Sequence, residues 1–172
     1  ELMVHPAVLH AISNNGNISE VESLLAREAE HEQIENCVLV DEDRHVVASP
    51  GTAGLLPGDL FDPHGLVTEA MQSGLEYRAS KVLSYEDLQA HSPQRLQDGE
   101  HLSALHPYDV KDSSLIRYTV TPIMAGDAGH GGLGKHAIGA LITGDIVNGK
   151  TAICEELLKI LHRGYCAIYL YA

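Results

Sequence analysis

Basic residues and long apolar runs are scarce in this chain. Its 172 residues include 11 Lys and Arg against 24 Asp and Glu, which gives a formal net charge of −13. This excess of acid repels phosphate backbones and anionic lipids, so we expect no nucleic-acid partner. No apolar run approaches the roughly 18 residues that cross a bilayer, and a signal peptide is missing. The chain as given is expected to be soluble and to meet a membrane only through segments outside it.

Cysteines are also few. Cys37, Cys154 and Cys166 are an odd number without the paired spacing of metal ligands, so the sequence signals neither a disulfide framework nor a zinc site.

The chain opens on Glu1 rather than Met, and its last residues read as an apolar strand. Both ends therefore look cut from a larger protein.

The composition is that of one packed domain. Hydrophobic residues make up 44% of the chain and charged residues 20%, close to the average for globular proteins. A chain of this length buries one core of ordinary size. We therefore treat residues 1–172 as a single domain.

Apolar periodicity and turn residues predict the order of helices and strands. The predicted helices are His5–Asn14, Glu20–Gln33, Gly65–Ser73 and Thr151–Leu161. The predicted strands are Ile34–Val40, His45–Ser49, Tyr77–Leu83, Leu115–Met124, Ala137–Val147 and Tyr165–Ala172. Ser19 followed by Glu22 has the spacing of a capping box and predicts an N-cap at Ser19. Hairpins between successive strands indicate an antiparallel sheet with helices on one face, hence an α+β fold.

Two connections stand out between these elements. Ser84–Ser114 is polar and rich in His, Pro and Gly, which predicts a long surface excursion that acts as a lid or is mobile. Gly126–Gly134 lies between two β-branched runs and predicts a hairpin tip.

Four segments carry a resemblance to a known family. They are the long N-terminal helix with its Asn-Gly interruption, CVLVDEDRHVVAS at Cys37–Ser49, RYTVTPI at Arg117–Ile123 and IGALITGDI at Ile138–Ile146. Together they resemble the Cache domains, which are extracytoplasmic PAS-like sensor domains of bacterial chemoreceptors, sensor kinases and cyclases. The resemblance implies a central antiparallel sheet, a long N-terminal helix, and a ligand held on the concave face of the sheet. The extra helix and strand after Val147 and the long Ser84–Ser114 loop depart from the family.

Motifs for catalysis, nucleotides and metals are not supported. GHGGLG at Gly129–Gly134 precedes a strand instead of a helix, and GDIVNGK at Gly144–Lys150 lacks the spacing of a P-loop. The loop histidines lack the i, i+4 spacing of a helical zinc site, and no Gly-x-Ser-x-Gly elbow occurs. We therefore expect no catalytic residue, no cofactor and no metal site. The loop histidines considered as possible metal ligands are His91, His101, His106, His130 and His136.

Polar residues on otherwise apolar strands are the candidate ligand contacts, because a pocket needs a few such groups to orient its ligand. Alternation along a strand places Arg117, Thr119 and Thr121 on one face and Tyr118 on the other, so only one set can face a pocket. An Arg or Tyr there would bind a carboxylate, and Arg117 with Asp145 would suit a zwitterion. Two alternatives need no ligand: Arg117 is an ordinary surface residue, or it forms a salt bridge directly with Asp145. The candidate ligand-binding residues are Tyr77, Arg117, Tyr118, Thr119 and Asp145.

The resulting functional hypothesis is a sensor, not an enzyme. We expect the extracytoplasmic, periplasmic ligand-sensing domain of a cell-membrane receptor, which binds a small organic molecule and moves the N-terminal helix. A homodimer through that helix is left open. The alternative is a cytosolic PAS- or GAF-type module that binds a cofactor or serves dimerisation. A third reading, an enzyme, predicts a deep cleft with strongly perturbed carboxylates or histidines.

Overall fold

The protein folds around one five-stranded sheet. The computed structural model describes residues 8, 12, 17–50, 55–84, 113–125, 136–147, 150, 152–162 and 164–167. The strands are Asn36–Asp41 (β1), Val46–Ala48 (β2), Tyr77–Ser84 (β3), Ser113–Met124 (β4) and Ala137–Ile146 (β5). Their order across the sheet is β2-β1-β5-β4-β3, and each neighbouring pair is antiparallel. The α+β class and the central antiparallel sheet are therefore confirmed.

The helices within the described ranges are Ile18–Glu32 (α1), Leu66–Ser73 (α2) and Ala152–Leu161 (α3), with a short 3-10 turn at Pro63–Gly65 before α2. Gly74 ends α2 with a φ of 66°, and its N–H donates to the Ala70 carbonyl, as is usual for a glycine C-cap. None of these described helices has the length and apolar character that a membrane crossing needs.

The helices cover both faces of the sheet, so the prediction of helices on one face was wrong. One core cluster unites α2 with one sheet face, through residues that include Val67, Val120 and Ile142. The other unites α1 with the opposite face, and Val8 and Ile12 join it. The reason is visible in β1, where five consecutive residues, Asn36–Val40, are buried. A strand that is apolar on both sides needs cover on both sides.

The start of α1 lies before the predicted N-cap. Asn17, with an extended backbone, precedes the helix, and its carbonyl accepts the N–H of Glu20 at 3.1 Å. Ser19 is already inside the first turn, and the side chain of the N-cap residue Asn17 makes no capping hydrogen bond. The predicted capping box at Ser19 was therefore wrong, because the helix begins two residues earlier than the apolar periodicity indicates.

The end of α1 reverses sharply into β1. Gln33 adopts a left-handed conformation with a φ of 54°, and the N–H of Ile34 donates to the Ala29 carbonyl at 3.0 Å. This is a Schellman-type ending with Gln in the position that usually favours Gly. It brings Glu35 directly to the start of β1, where its N–H donates to the Gly144 carbonyl of β5 at 3.0 Å.

Several sequence boundaries shift or lie outside the described residues. β4 begins at Ser113 instead of Leu115, and β3 extends to Ser84. The remainder of the predicted long loop, residues 85–112, and the glycine-rich hairpin tip, residues 126–134, lie outside the described part. The described residues Gly164–Ala167 are not a strand, so a strand starting at Tyr165 was wrong.

Candidate ligand-binding site

The two faces of β4 differ sharply in character. Tyr118 and Val120 are buried against α2, whereas Arg117 is exposed on the other face and Thr119 is half-buried there. Because strand residues alternate, the sequence already predicts this division. The polar face of β4 is thus the one that faces away from α2.

Polar residues of three strands lie side by side on this face. Register pairs Arg117 with Ser80 on β3 and with Asp145 on β5, and it pairs Thr119 with Arg78 and Thr143. Directly paired residues on one sheet face have Cβ atoms about 4.5–5.5 Å apart, so these two rows form a continuous polar surface. Among the described elements, α1 packs over β1 and β2 instead.

This surface forms an open depression of about 410 Å³ beside the end of α1. Four of the five predicted residues line it, namely Arg117, Tyr118, Thr119 and Asp145. Its walls are formed by Glu32, Ile34, Arg78, Ala79, Ser80, Arg117, Thr119, Thr143 and Asp145, with β4 passing beneath at Tyr118.

Tyr77 and Tyr118 do not present their side chains to this depression. Tyr118 is 1% exposed and belongs to the core cluster under α2. Tyr77 lies at a second depression with Glu69, Ser73 and Glu76. A hydrogen bond to Glu69 raises the pKa of the Tyr77 phenol above its usual value. Of the five candidate residues, Tyr77 thus lies apart from the depression, and the Tyr118 side chain faces the core beneath it.

Arg117 and Asp145 contact each other directly. The Nε atom of Arg117 donates to Oδ2 of Asp145 at 2.9 Å, and Nη2 donates to the same oxygen. The Arg117 side chain is 53% exposed and the Asp145 side chain 14%. The structural alternative of a direct ion pair is thus realised, with Arg117 as its solvent-facing member.

Lys150 connects this ion pair to the end of α1. Its ammonium donates to Oδ1 of Asp145, to Oε1 of Glu35 at 2.9 Å and to the Gln33 carbonyl at 2.6 Å. Glu35 in turn accepts the N–H of Ile146 at 2.7 Å. Two cations and two carboxylates therefore form one chain of contacts, here called the Lys150 cluster: Glu35, Arg117, Asp145 and Lys150 with the Gln33 carbonyl.

The cluster sets the protonation state of its central carboxylate. Burial acts to raise the pKa of Asp145, but hydrogen bonds and positive charge from Lys150 and Arg117 outweigh it, so the pKa lies below the usual value. Asp145 is consequently an anion at neutral pH. Each of its two oxygens is already engaged by a cation.

Glu35 and Lys150 were missed as site residues by sequence reasoning. They are 115 positions apart, and no local pattern connects them. In the sequence, Lys150 stands out only as the end of the P-loop-like phrase Gly144–Lys150, and Glu35 lies within the predicted strand Ile34–Val40. A signal that could have pointed to this cluster is a polar residue at the end of an otherwise apolar strand. Glu35 and Asp145 are two such residues.

Comparison with solved structures finds chains of similar fold, whereas comparison by sequence finds no relative. Neither a protein-family model nor a curated protein matches the chain. The periplasmic domain of Vibrio cholerae LuxQ is a similar solved structure, with 11% identity and a TM-score of 0.49. The match covers 91% of this chain and 58% of the LuxQ chain. The present chain thus corresponds to little more than half of that solved domain.

Proposed function

We propose that this chain is the extracytoplasmic ligand-sensing domain of a signalling receptor, and that a small carboxylate binds in the depression over β3, β4 and β5. The domain itself carries out no reaction. The output of such a receptor, whether kinase, cyclase or chemotaxis signalling, would come from other domains.

The Lys150 cluster is the observation that carries this proposal. Asp145 uses one oxygen for Arg117, which is exposed in the depression, and the other for Lys150, which holds the end of α1. A group that binds Arg117 therefore acts on a contact network that ends at a helix terminus. Such a link between a surface site and a helix is what a sensor needs.

The ligand class follows from which groups are still available. Both Asp145 oxygens already accept hydrogen bonds from a cation, and this compensation of its charge weakens its attraction for the ammonium of a zwitterion. The guanidinium of Arg117 uses only Nε and Nη2 within the described residues, which leaves Nη1 for a second acceptor. Hydroxyl groups of Ser80, Thr119 and Thr143 lie nearby to donate further hydrogen bonds. This arrangement favours a simple carboxylate over an amino acid.

Ligand binding would reach α1 through competition for Arg117. A carboxylate that shares the guanidinium weakens its bond to Asp145, and Asp145 then interacts more strongly with Lys150. Because Lys150 also donates to the Gln33 carbonyl and to Glu35, the contacts at the end of α1 change. The N-terminal helix would be the element that carries the signal onwards.

A thermal-shift screen followed by calorimetry tests the proposal. The screen compares mono- and dicarboxylates with amino acids, since a ligand that binds only the folded state raises the melting temperature. The best carboxylate is then titrated into the wild type and into Arg117→Ala. Loss of a charge-assisted hydrogen bond worth about 1.5–3 kcal/mol predicts roughly 10- to 100-fold weaker binding.

Arg27→Ala is the matched control, because Arg27 is an exposed arginine on α1 that does not line the depression. It removes the same charge and should bind as the wild type does. Equal affinity of Arg117→Ala and the wild type, or a screen in which no carboxylate binds, would refute the proposed site.

A further inference from the structure

The three cysteines of this chain occupy two very different environments. Cys154 lies in the first turn of α3 and Cys166 in the described segment Gly164–Ala167 that follows it. The Cys166 thiol donates to Cys154, with the two sulfur atoms 2.8 Å apart. A bonded pair is about 2.05 Å apart, so these sulfurs need to approach by less than about 1 Å to be joined.

The third cysteine has no such access. Cys37 is 0% exposed within the core between β1 and α1. Burial, and secondarily the charge of Glu28, raises the pKa of Cys37 to about 12, so its reactive thiolate is rare at neutral pH. Cys154 and Cys166 are each only partly buried. Access to solvent and mutual distance therefore single out one pair from the three thiols.

We propose that Cys154 and Cys166 are a redox site that closes to an intramolecular disulfide when the protein meets a small-molecule disulfide. The thiolate of one cysteine attacks the oxidant, and a mixed disulfide forms as one small thiolate leaves. The second cysteine then attacks the protein sulfur of that mixed disulfide and expels the other small thiolate. In total both cysteines lose a proton and one electron each, and the oxidant gains two electrons to become two thiols.

The local chain path explains why these two positions meet. They are 12 residues apart, whereas side chains within one helix contact each other only three or four residues apart. The chain leaves α3 through two residues with positive φ, His162 at 58° and Gly164 at 128°. This turn directs Cys166 back to the first turn of α3.

The bond would tie down an exposed part of the fold. Ile160 and Leu161 on α3 are 72% and 59% exposed, and Tyr165 is 85% exposed, so few buried contacts hold this region. A disulfide between Cys154 and Cys166 limits the freedom of the open chain and stabilises the folded turn. Disulfides persist in oxidising spaces outside the cytoplasm, which suits the proposed extracytoplasmic location. The disulfide and the carboxylate site are independent, because they rest on different residues.

Peptide mapping tests the pairing on the whole 172-residue protein. The folded protein is incubated with glutathione disulfide, alkylated in denaturant without reduction, and digested with trypsin. Lys159 and Arg163 separate the two cysteines, so the bond would join the peptides TAICEELLK and GYCAIYLYA. We expect this linked pair as the main product, with Cys37 recovered in alkylated form.

Variants distinguish the pair from chance oxidation. Cys154→Ser and Cys166→Ser should each leave the remaining partner as a single glutathione adduct, whereas Cys37→Ala should keep the linked peptides. Oxidation in urea should lose the selectivity, because the fold no longer positions the pair. The inference is overturned if, after oxidation of the folded wild type, Cys154 and Cys166 are recovered in alkylated form or carry separate glutathione adducts. A bond to Cys37 or between two chains would overturn it as well.

Discussion

Replacing Lys150 by Met perturbs the Lys150 cluster most directly. The side chains of Lys150, Glu35 and Asp145 are only 19%, 11% and 14% exposed, so the two carboxylates lie largely out of water. Removing one partner of a fully buried pair costs about 3–5 kcal/mol, because a charge is left uncompensated. Asp145 keeps Arg117, and the cluster retains some solvent contact. We therefore expect Lys150→Met to lower the free energy of unfolding by about 2–3 kcal/mol.

Urea denaturation followed by far-ultraviolet circular dichroism measures this loss. Lys159→Met is the matched control, since the Lys159 side chain is 73% exposed and its ammonium pairs at 3.5 Å with a similarly exposed Glu156. An exposed pair of this kind contributes less than about 1 kcal/mol. A Lys150→Met loss no larger than that of Lys159→Met would refute the reasoning.

The loss should also depend on pH. Because the pKa of Asp145 is lower in the folded state than its unfolded value of about 3.9, its stabilisation is present above that value. It is lost as the pH falls through the folded pKa. The difference between the wild type and Lys150→Met should therefore be largest near neutral pH and shrink below about pH 4.

Three further substitutions test the described fold in the same urea assay. Asp62→Ala should cost about 1–2 kcal/mol, because the Asp62 carboxylate accepts the N–H of Val67 at 2.8 Å at the start of α2. Gly139→Ala should cost about 1–3 kcal/mol, because a Cβ would lie 2.4 Å from the Val40 carbonyl oxygen. Ser19→Ala should change stability by less than about 0.5 kcal/mol, because its side chain does not cap α1. A Ser19→Ala loss larger than either of the others would contradict the structure.

The strands were the most predictable part of the fold. β-branched and apolar residues concentrate in β1, β4 and β5, and turn residues bound them, so each was found within two residues. Alternation along β4 also predicts that Arg117 and Thr119 share a face that excludes Tyr118. These predictions succeed because they depend on local periodicity, which the sequence displays directly.

The contacts that define the site depend on tertiary structure instead. Nothing near Asp145 in the sequence reveals that Glu35 lies beside it, since the folded sheet brings together residues that are far apart in the chain. The same holds for Cys154 and Cys166, which meet through two residues with positive φ. The start of α1 was missed for a related reason, because a Ser-x-x-Glu spacing also occurs inside helices.

Amide hydrogen exchange at the end of α1 tests the central claim most directly. The N–H groups of Gln33 and Ile34 donate to carbonyls of the last helical turn, and Lys150 holds the Gln33 carbonyl. A saturating carboxylate that binds at Arg117 should change exchange at these two amides in the wild type, but not in Lys150→Met. The account is contradicted if the carboxylate binds the wild type and their exchange stays unchanged.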